Sequence, residues 1–252
     1  MRVNRGIVPG FFTMANMFCG FLATLQAAAG EFRQATALII AAAILDALDG
    51  KLARLADAST EFGVQYDSMA DVVSFGFAPS ALAYFFYFNT WGTVGVFISF
   101  MPLVFGTVRL AKFNTQLVGF DKPYFKGIPI PASAMAIATF VLLNVRYPDM
   151  FNTLVETRII LVIILFVSIM MITNVRYEKM PNFSLKSNRA QRIKILTVII
   201  CVAIVTLFPN EAFFPITIVY LFSGLARLLW RILNSTDDTE NVEDKTQTDE
   251  VK

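Results

Sequence analysis

The chain contains no histidine and only two cysteines in 252 residues. The first absence removes imidazole as a general base or metal ligand, so any proton acceptor must be Asp, Glu, Lys or Tyr. As for the second, Cys19 and Cys201 both sit in apolar stretches and read as buried packing residues, so neither a disulfide framework nor a thiolate metal site is implied. Charge is scarce too. Asp, Glu, Lys and Arg make up 16% of the residues against 56% for hydrophobic ones, and mean hydropathy is +0.60. That balance excludes an ordinary soluble domain and makes a membrane domain the default. The 25 phenylalanines read as lipid-facing and packing rings, with no aromatic cage for a quaternary amine and no nucleic-acid surface implied.

What the chain has instead is apolar runs of about 20 residues, the length that crosses a bilayer. They predict an all-α, polytopic bundle of about eight helices over 7–29, 34–56, 63–89, 92–111, 128–146, 157–175, 193–209 and 212–232. With the N-terminus and C-terminus placed in the cytoplasm, 16 basic residues fall in inner loops, including Arg2, Lys51, Arg54, Arg109, Lys112, Lys126, Arg176 and Arg231. Only Arg33, Arg146 and Arg158 fall outside, an asymmetry that follows the positive-inside rule. An N-terminal signal peptide is the competing reading of Arg2, Arg5 and Ala27–Ala29. The apolar run is longer than a typical signal core, which favours a retained first helix. Residues 1–232 thus form the membrane domain. Residues 233–252, with seven acids and two lysines from Asp237 onward, read as a disordered acidic cytoplasmic tail.

Residues 46–71 are out of place in such a chain. Four carboxylates border bilayer-like segments, where an ionised side chain costs ~2.5–3.5 kcal/mol even on lenient scales. They therefore call for a cationic partner. Asp46 and Asp49 are three apart, and on a helix Gly50 and Ala53 lie beside them, making one acidic, small-residue face. Gly63, Asp67 and Asp71 advance by four residues, with Ser74 and Ala78 expected to continue the stripe. Four hard oxygen donors suit Mg²⁺ or Mn²⁺, and a pair of ions would suit displacement at phosphorus. The bland alternative, an acidic turn facing water, does not account for the joint spacing.

The pattern D-x2-D-G-x2-A-R-x8-G-x3-D-x3-D, complete from Asp46 to Asp71, resembles the signature of the CDP-alcohol phosphotransferases. Three further segments resemble the family's serine-using branch, the membrane-integral CDP-diacylglycerol–serine O-phosphatidyltransferases. These are Asn16-Met17-Phe18-Cys19-Gly20, the Ser74–Ser80 run SFGFAPS, and Arg109–Asn114 (RLAKFN) followed by Phe125–Pro131 (FKGIPIP). Lys112 stands where arginine is expected; lysine keeps the charge but loses the bidentate fork.

The resemblance implies transfer of a phosphatidyl group from CDP-diacylglycerol to the L-serine hydroxyl with release of CMP, dependent on a divalent metal. Within it, Asp46, Asp49 and Asp67 are expected to hold the ions, with Asp71 sharing one and serving as general base. Asn16, Gly50, Ala53, Arg54, Gly63, Ser74, Arg109, Lys112 and Lys126 are the expected substrate-binding positions. The expected setting is the cell (inner) membrane among its lipids, with the site facing the cytoplasm and a homodimer left open. Glycerol 3-phosphate or inositol as acceptor is the alternative within the family. A divalent-cation or proton-coupled transporter is the alternative outside it, and would spread its acids through the membrane depth. Plain structural roles compete at single positions: Asn16 as an interhelical hydrogen-bonding residue, Ser74 in packing, and Arg109, Lys112 and Lys126 as snorkelling cations.

Overall fold

The computed structural model describes residues 7–55, 60–116, 124–173, 176–178 and 211–224, with scattered positions from 196 to 208 and residue 226. The acidic tail, about half of the expected 193–209 helix and many of the basic loop residues lie outside the described residues.

The first two expected helices form a hairpin. Helix α1 (Ile7–Ala28) and helix α2 (Phe32–Leu55) are joined by a tight turn at residues 29–31. Alanines and one isoleucine, Ala23, Ala27, Ala35, Ile39 and Ala42, are fully buried in and around the hairpin, and their small size lets the two helices lie close.

The next apolar stretch runs from Glu61 to Thr115, 55 residues, far more than the ~20 needed for one crossing. It doubles back. Its first leg is α3 (Glu61–Asp71), a π-helical segment (Val72–Phe77), α4 (Ala78–Ala83) and a second π-helical segment (Tyr84–Phe88). A single 3₁₀ turn at Asn89–Trp91 and Gly92 at φ 56° reverse the chain into α5 (Gly92–Gln116). A left-handed φ of this kind is open to glycine with little strain. The legs are antiparallel: a Cβ on Gly76 would sit 2.9 Å from Leu103, and Asn114 at the far end hydrogen-bonds Ser68. The reversal falls where the sequence predicted the break between 63–89 and 92–111.

Helices α6 (Ile130–Arg146), α7 (Thr153–Ile172) and α8 (Glu211–Gly224) complete the described bundle. Phe140 packs on Phe214 and Phe166 stacks on Phe222, ring centroids 5.1 and 5.2 Å apart, so α8 lies against both α6 and α7. Asn144 of α6 donates to the Tyr87 hydroxyl at 2.5 Å, tying the Tyr84–Phe88 end of the first leg to α6. Among the described residues, three stretches are long and apolar enough to cross a membrane: Gly10–Ala28, Glu61–Thr115 and Thr153–Ile172. Helix α2 has the length, but Arg33, Asp46, Asp49, Lys51 and Arg54 lower its apolar character; Ile130–Arg146 and Glu211–Gly224 are shorter apolar helices.

Two features depart from the all-α expectation. A two-stranded antiparallel ribbon pairs β1 (Tyr124–Lys126) with β2 (Arg176–Glu178), bringing together segments that follow α5 and α7. No local pattern signals strands three residues long and fifty apart in sequence. The other is the π-helical turn after Asp71. The Ala78 amide donates to the Val73 carbonyl five residues back, so the four-residue stripe predicted through Ser74 and Ala78 loses its regular phase there.

The two hairpins meet at Gly20. A Cβ there would lie 2.5 Å from both the Cα and the Oγ of Ser74, while the Ser74 hydroxyl donates to the Asn16 carbonyl at 2.8 Å. Gly20→Ala must therefore force backbone apart, because the nearest obstacle includes Cα and is not a flexible side-chain tip. Overpacking of this kind costs typically ~1–3 kcal/mol. The variant is expected to unfold at lower temperature in detergent and to lose activity, checked by thermal melting; an unchanged melting point would show that the contact is looser than this.

Candidate active site

Asp46 and Asp49 project from the second half of α2, and Asp67 and Asp71 from α3, so the site is assembled across both hairpins. Asp46, Asp67 and Asp71 each bring a carboxylate oxygen within 4.8 Å of the others. Asp67 and Asp71 are one helical turn apart and share a face, which is why the i, i+4 spacing converges. Asp71 closes α3 just before the chain goes π-helical, and π turns often mark functional sites.

Asp49 is held differently. It is buried, and its Oδ2 accepts a hydrogen bond from the Thr13 hydroxyl of α1. The Asp49 charge still bears on Asp46 and Asp67. Nothing in the sequence pointed to Thr13, a lone hydroxyl in an apolar helix 36 residues away.

The remaining candidates sort by position. Asn16 is fully buried, with its side-chain amide facing the Asp71 carboxylate. Arg109 of α5 is 8% exposed and its charge also bears on Asp71. Gly50 is exposed on α2, and a Cβ there would have no neighbour within 4 Å among the described residues. Ala53 and Arg54 fall in the last turn of α2, but their side chains lie outside the described residues. Gly63 is in the first turn of α3, where its amide donates to the capping Thr60 hydroxyl at 3.0 Å. Ser74 is committed to the contact with α1 described above. Lys112 is exposed on α5, and Lys126 stands on β1 with its side chain outside the described residues.

The donor set fits a divalent cation. At ~4 Å and an effective dielectric of ~20, each carboxylate pair repels by about 4 kcal/mol, and the single charge of Arg109 cannot balance three or four such groups. Asp49 Oδ1 and Asp71 Oδ1 are buried with no hydrogen-bond partner among the described residues. Orphaned carboxylate oxygens in an all-oxygen pocket suit Mg²⁺ or Mn²⁺.

A profile of the CDP-alcohol phosphatidyltransferase family matches residues 6–157, a span that holds α1 to α6 and every carboxylate of the site. The chain belongs to this family. Among relatives of this phosphatidyltransferase, a Helicobacter pylori protein named CDP-diacylglycerol–serine O-phosphatidyltransferase is 35% identical over 224 residues, 89% of this chain and 92% of the relative. Proteins of the same name from Methanocaldococcus jannaschii and Mycobacterium tuberculosis are 31% and 30% identical. They cover 88% and 87% of this chain, and 94% and 77% of their own lengths. Membership in a transferase family argues against the transporter alternative, and Asp46, Asp67 and Asp71 meet at one place instead of spreading through the membrane depth as a transporter's acids would.

Proposed function

We propose that this phosphatidyltransferase converts CDP-diacylglycerol and L-serine into phosphatidylserine and CMP. The observation that carries the reading is the convergence of Asp46, Asp67 and Asp71 in a chain whose full-length relatives are named for the serine reaction. Asp46, Asp49 and Asp67, with Asp71 alongside, would hold two divalent ions, which when bound neutralise charge on the pyrophosphate and polarise phosphorus.

The chain's own groups do the rest. The serine hydroxyl oxygen attacks the phosphorus that carries diacylglycerol, the bond from that phosphorus to the CMP oxygen breaks, and Asp71 takes the hydroxyl proton. Arg109, buried beside Asp71, would draw the serine carboxylate or a phosphate oxygen toward the base. The absence of a side chain at Gly50 would let the nucleotide lie against α2, and Arg54, four residues on, would meet phosphate. With no histidine in the chain and no cysteine in the pocket, a single in-line displacement by serine is favoured over a covalent intermediate. The deciding experiment incubates purified protein with CDP-diacylglycerol and a panel of alcohols, following CMP release. Serine should support release and glycerol 3-phosphate and inositol should not; the reverse would move the enzyme to another branch.

Burial separates the two basic candidates on α5. Arg109→Lys removes the fork but keeps the charge and should raise KM for serine more than KM for CDP-diacylglycerol, by about tenfold for a lost ~1.4 kcal/mol contact. Lys112→Ala, at an exposed position, should move that ratio less. Equal and small effects from both would remove Arg109 from the acceptor site.

The membrane body of 1–232, its eight crossings and a cytoplasmic site rest on the loop charges and on the position of the aspartates at one end of α2 and α3. A cysteine at Ser59, in a background lacking Cys19 and Cys201, should react with an impermeant thiol reagent only in inverted or permeabilised membranes. Labelling in intact cells would invert the topology.

A further inference from the structure

Helix α3 carries two of the three converging carboxylates, yet it is short and amphiphilic, with Phe62 and Met69 exposed, so apolar packing alone fixes it weakly. What grips it is a side-chain amide. Asn114, near the end of α5, donates from Nδ2 to Gln65 Oε1 at 3.1 Å and to Ser68 Oγ at 3.0 Å. Its Oδ1 lies 3.3 Å from the Ser68 hydroxyl, whose single proton is shared between that oxygen and the Val64 carbonyl at 3.1 Å. Both amide hydrogens and the amide oxygen of one residue are thus spent on α3.

The position of this grip matters. Gln65 and Ser68 flank Asp67 in sequence, and five residues before Asn114 the same helix α5 presents Arg109 to Asp71. Helix α5 therefore meets α3 at two levels, with the Asn114 amide at Gln65 and Ser68 and the Arg109 charge at Asp71. Asp46 comes from the other hairpin, so the three carboxylates meet only if α3 is held in both rotation and height. We infer that Asn114 is a positioning residue for the cation site. Through Ser68 and Gln65 it sets the register of α3, so that Asp67 reaches the oxygens of Asp46 and Asp71. The inference rests on the reading that these aspartates hold a divalent ion.

Mn²⁺ alone, titrated calorimetrically into the full-length protein in detergent, is the probe. Asn114→Ala should weaken Mn²⁺ binding by about 5- to 30-fold with little change in melting temperature, and activity should recover partly as Mn²⁺ is raised while KM for serine stays put. Ser68→Ala should produce a smaller loss. Because both variants break the same clasp, the double variant should lose less than the product of the two single losses. If Asn114→Ala does not fold, Gln65→Ala, which removes one of the three contacts at an exposed position, carries the same directional expectation. Asp67→Asn separates the two levels of the argument. Unchanged Mn²⁺ affinity in that variant would overturn the metal site itself. Lost affinity in Asp67→Asn with unchanged affinity in folded Asn114→Ala and Ser68→Ala would overturn the clasp alone, as would a rise in serine KM with Mn²⁺ binding intact.

Discussion

Asp71→Asn is expected to lower turnover by ~10²–10⁴ while CDP-diacylglycerol still binds. The substitution keeps the size of the side chain and one carbonyl oxygen, so packing against Asn16 and the lead into the π-helical turn persist. What it removes is the proton acceptor, and general-base catalysis typically contributes rate enhancements of this order. Asp71 is the best-placed candidate because it is buried, adjoins Arg109 and has an oxygen with no partner among the described residues. Asp49, in contrast, has one oxygen engaged by Thr13. Single-turnover release of CMP with serine, measured beside equilibrium binding of the lipid nucleotide, separates chemistry from binding. Near-normal turnover would remove Asp71 from the role.

Asp46→Ala and Asp67→Ala should each abolish activity and weaken Mn²⁺ binding by at least ~10–100-fold, since a hard cation replaces a missing carboxylate oxygen poorly. Asp49→Ala belongs in the same series. Its carboxylate stands outside the close triad, so it should lose less affinity, and Thr13→Ala should reproduce part of that loss by freeing the Asp49 side chain to turn. Removing divalent ions with a chelator should silence the parent enzyme reversibly. Calorimetric titration checks the order, and equal Mn²⁺ affinity in the parent, Asp46→Ala and Asp67→Ala proteins would refute a metal role for the pocket.

The carboxylates were readable from sequence because an α-helix converts spacing into direction. Three- and four-residue steps put Asp46 beside Asp49 and Asp67 beside Asp71 without any tertiary information. The turn before Gly92 was readable for a similar reason, since a bilayer limits how long one apolar leg can run. What could not be read depends on contacts between distant segments. Thr13 carries no signal until α1 is laid against α2. Asn114 looked like one letter of a resemblance until α5 was folded back on α3. The π-helical turn breaks the stripe unannounced because an i→i+5 bond leaves no mark in hydrophobic periodicity, and the β1–β2 ribbon joins segments too short to announce themselves. Gly20 was noticed only within a resemblance; its physical reason is the Ser74 backbone.

The π-helical segment after Asp71 bears on how this protein tolerates change. A five-residue hydrogen-bonded turn holds one residue more than an α turn, so it takes up an extra residue without changing which way the chain on either side faces. Removing a single residue between Val72 and Phe77 should therefore restore ordinary α geometry and leave the acidic half of the leg, and the half that Asn144 anchors through Tyr87, facing as they do now. The stretch carries one residue of length that the reach of Asp67 and Asp71 for Asp46 does not need.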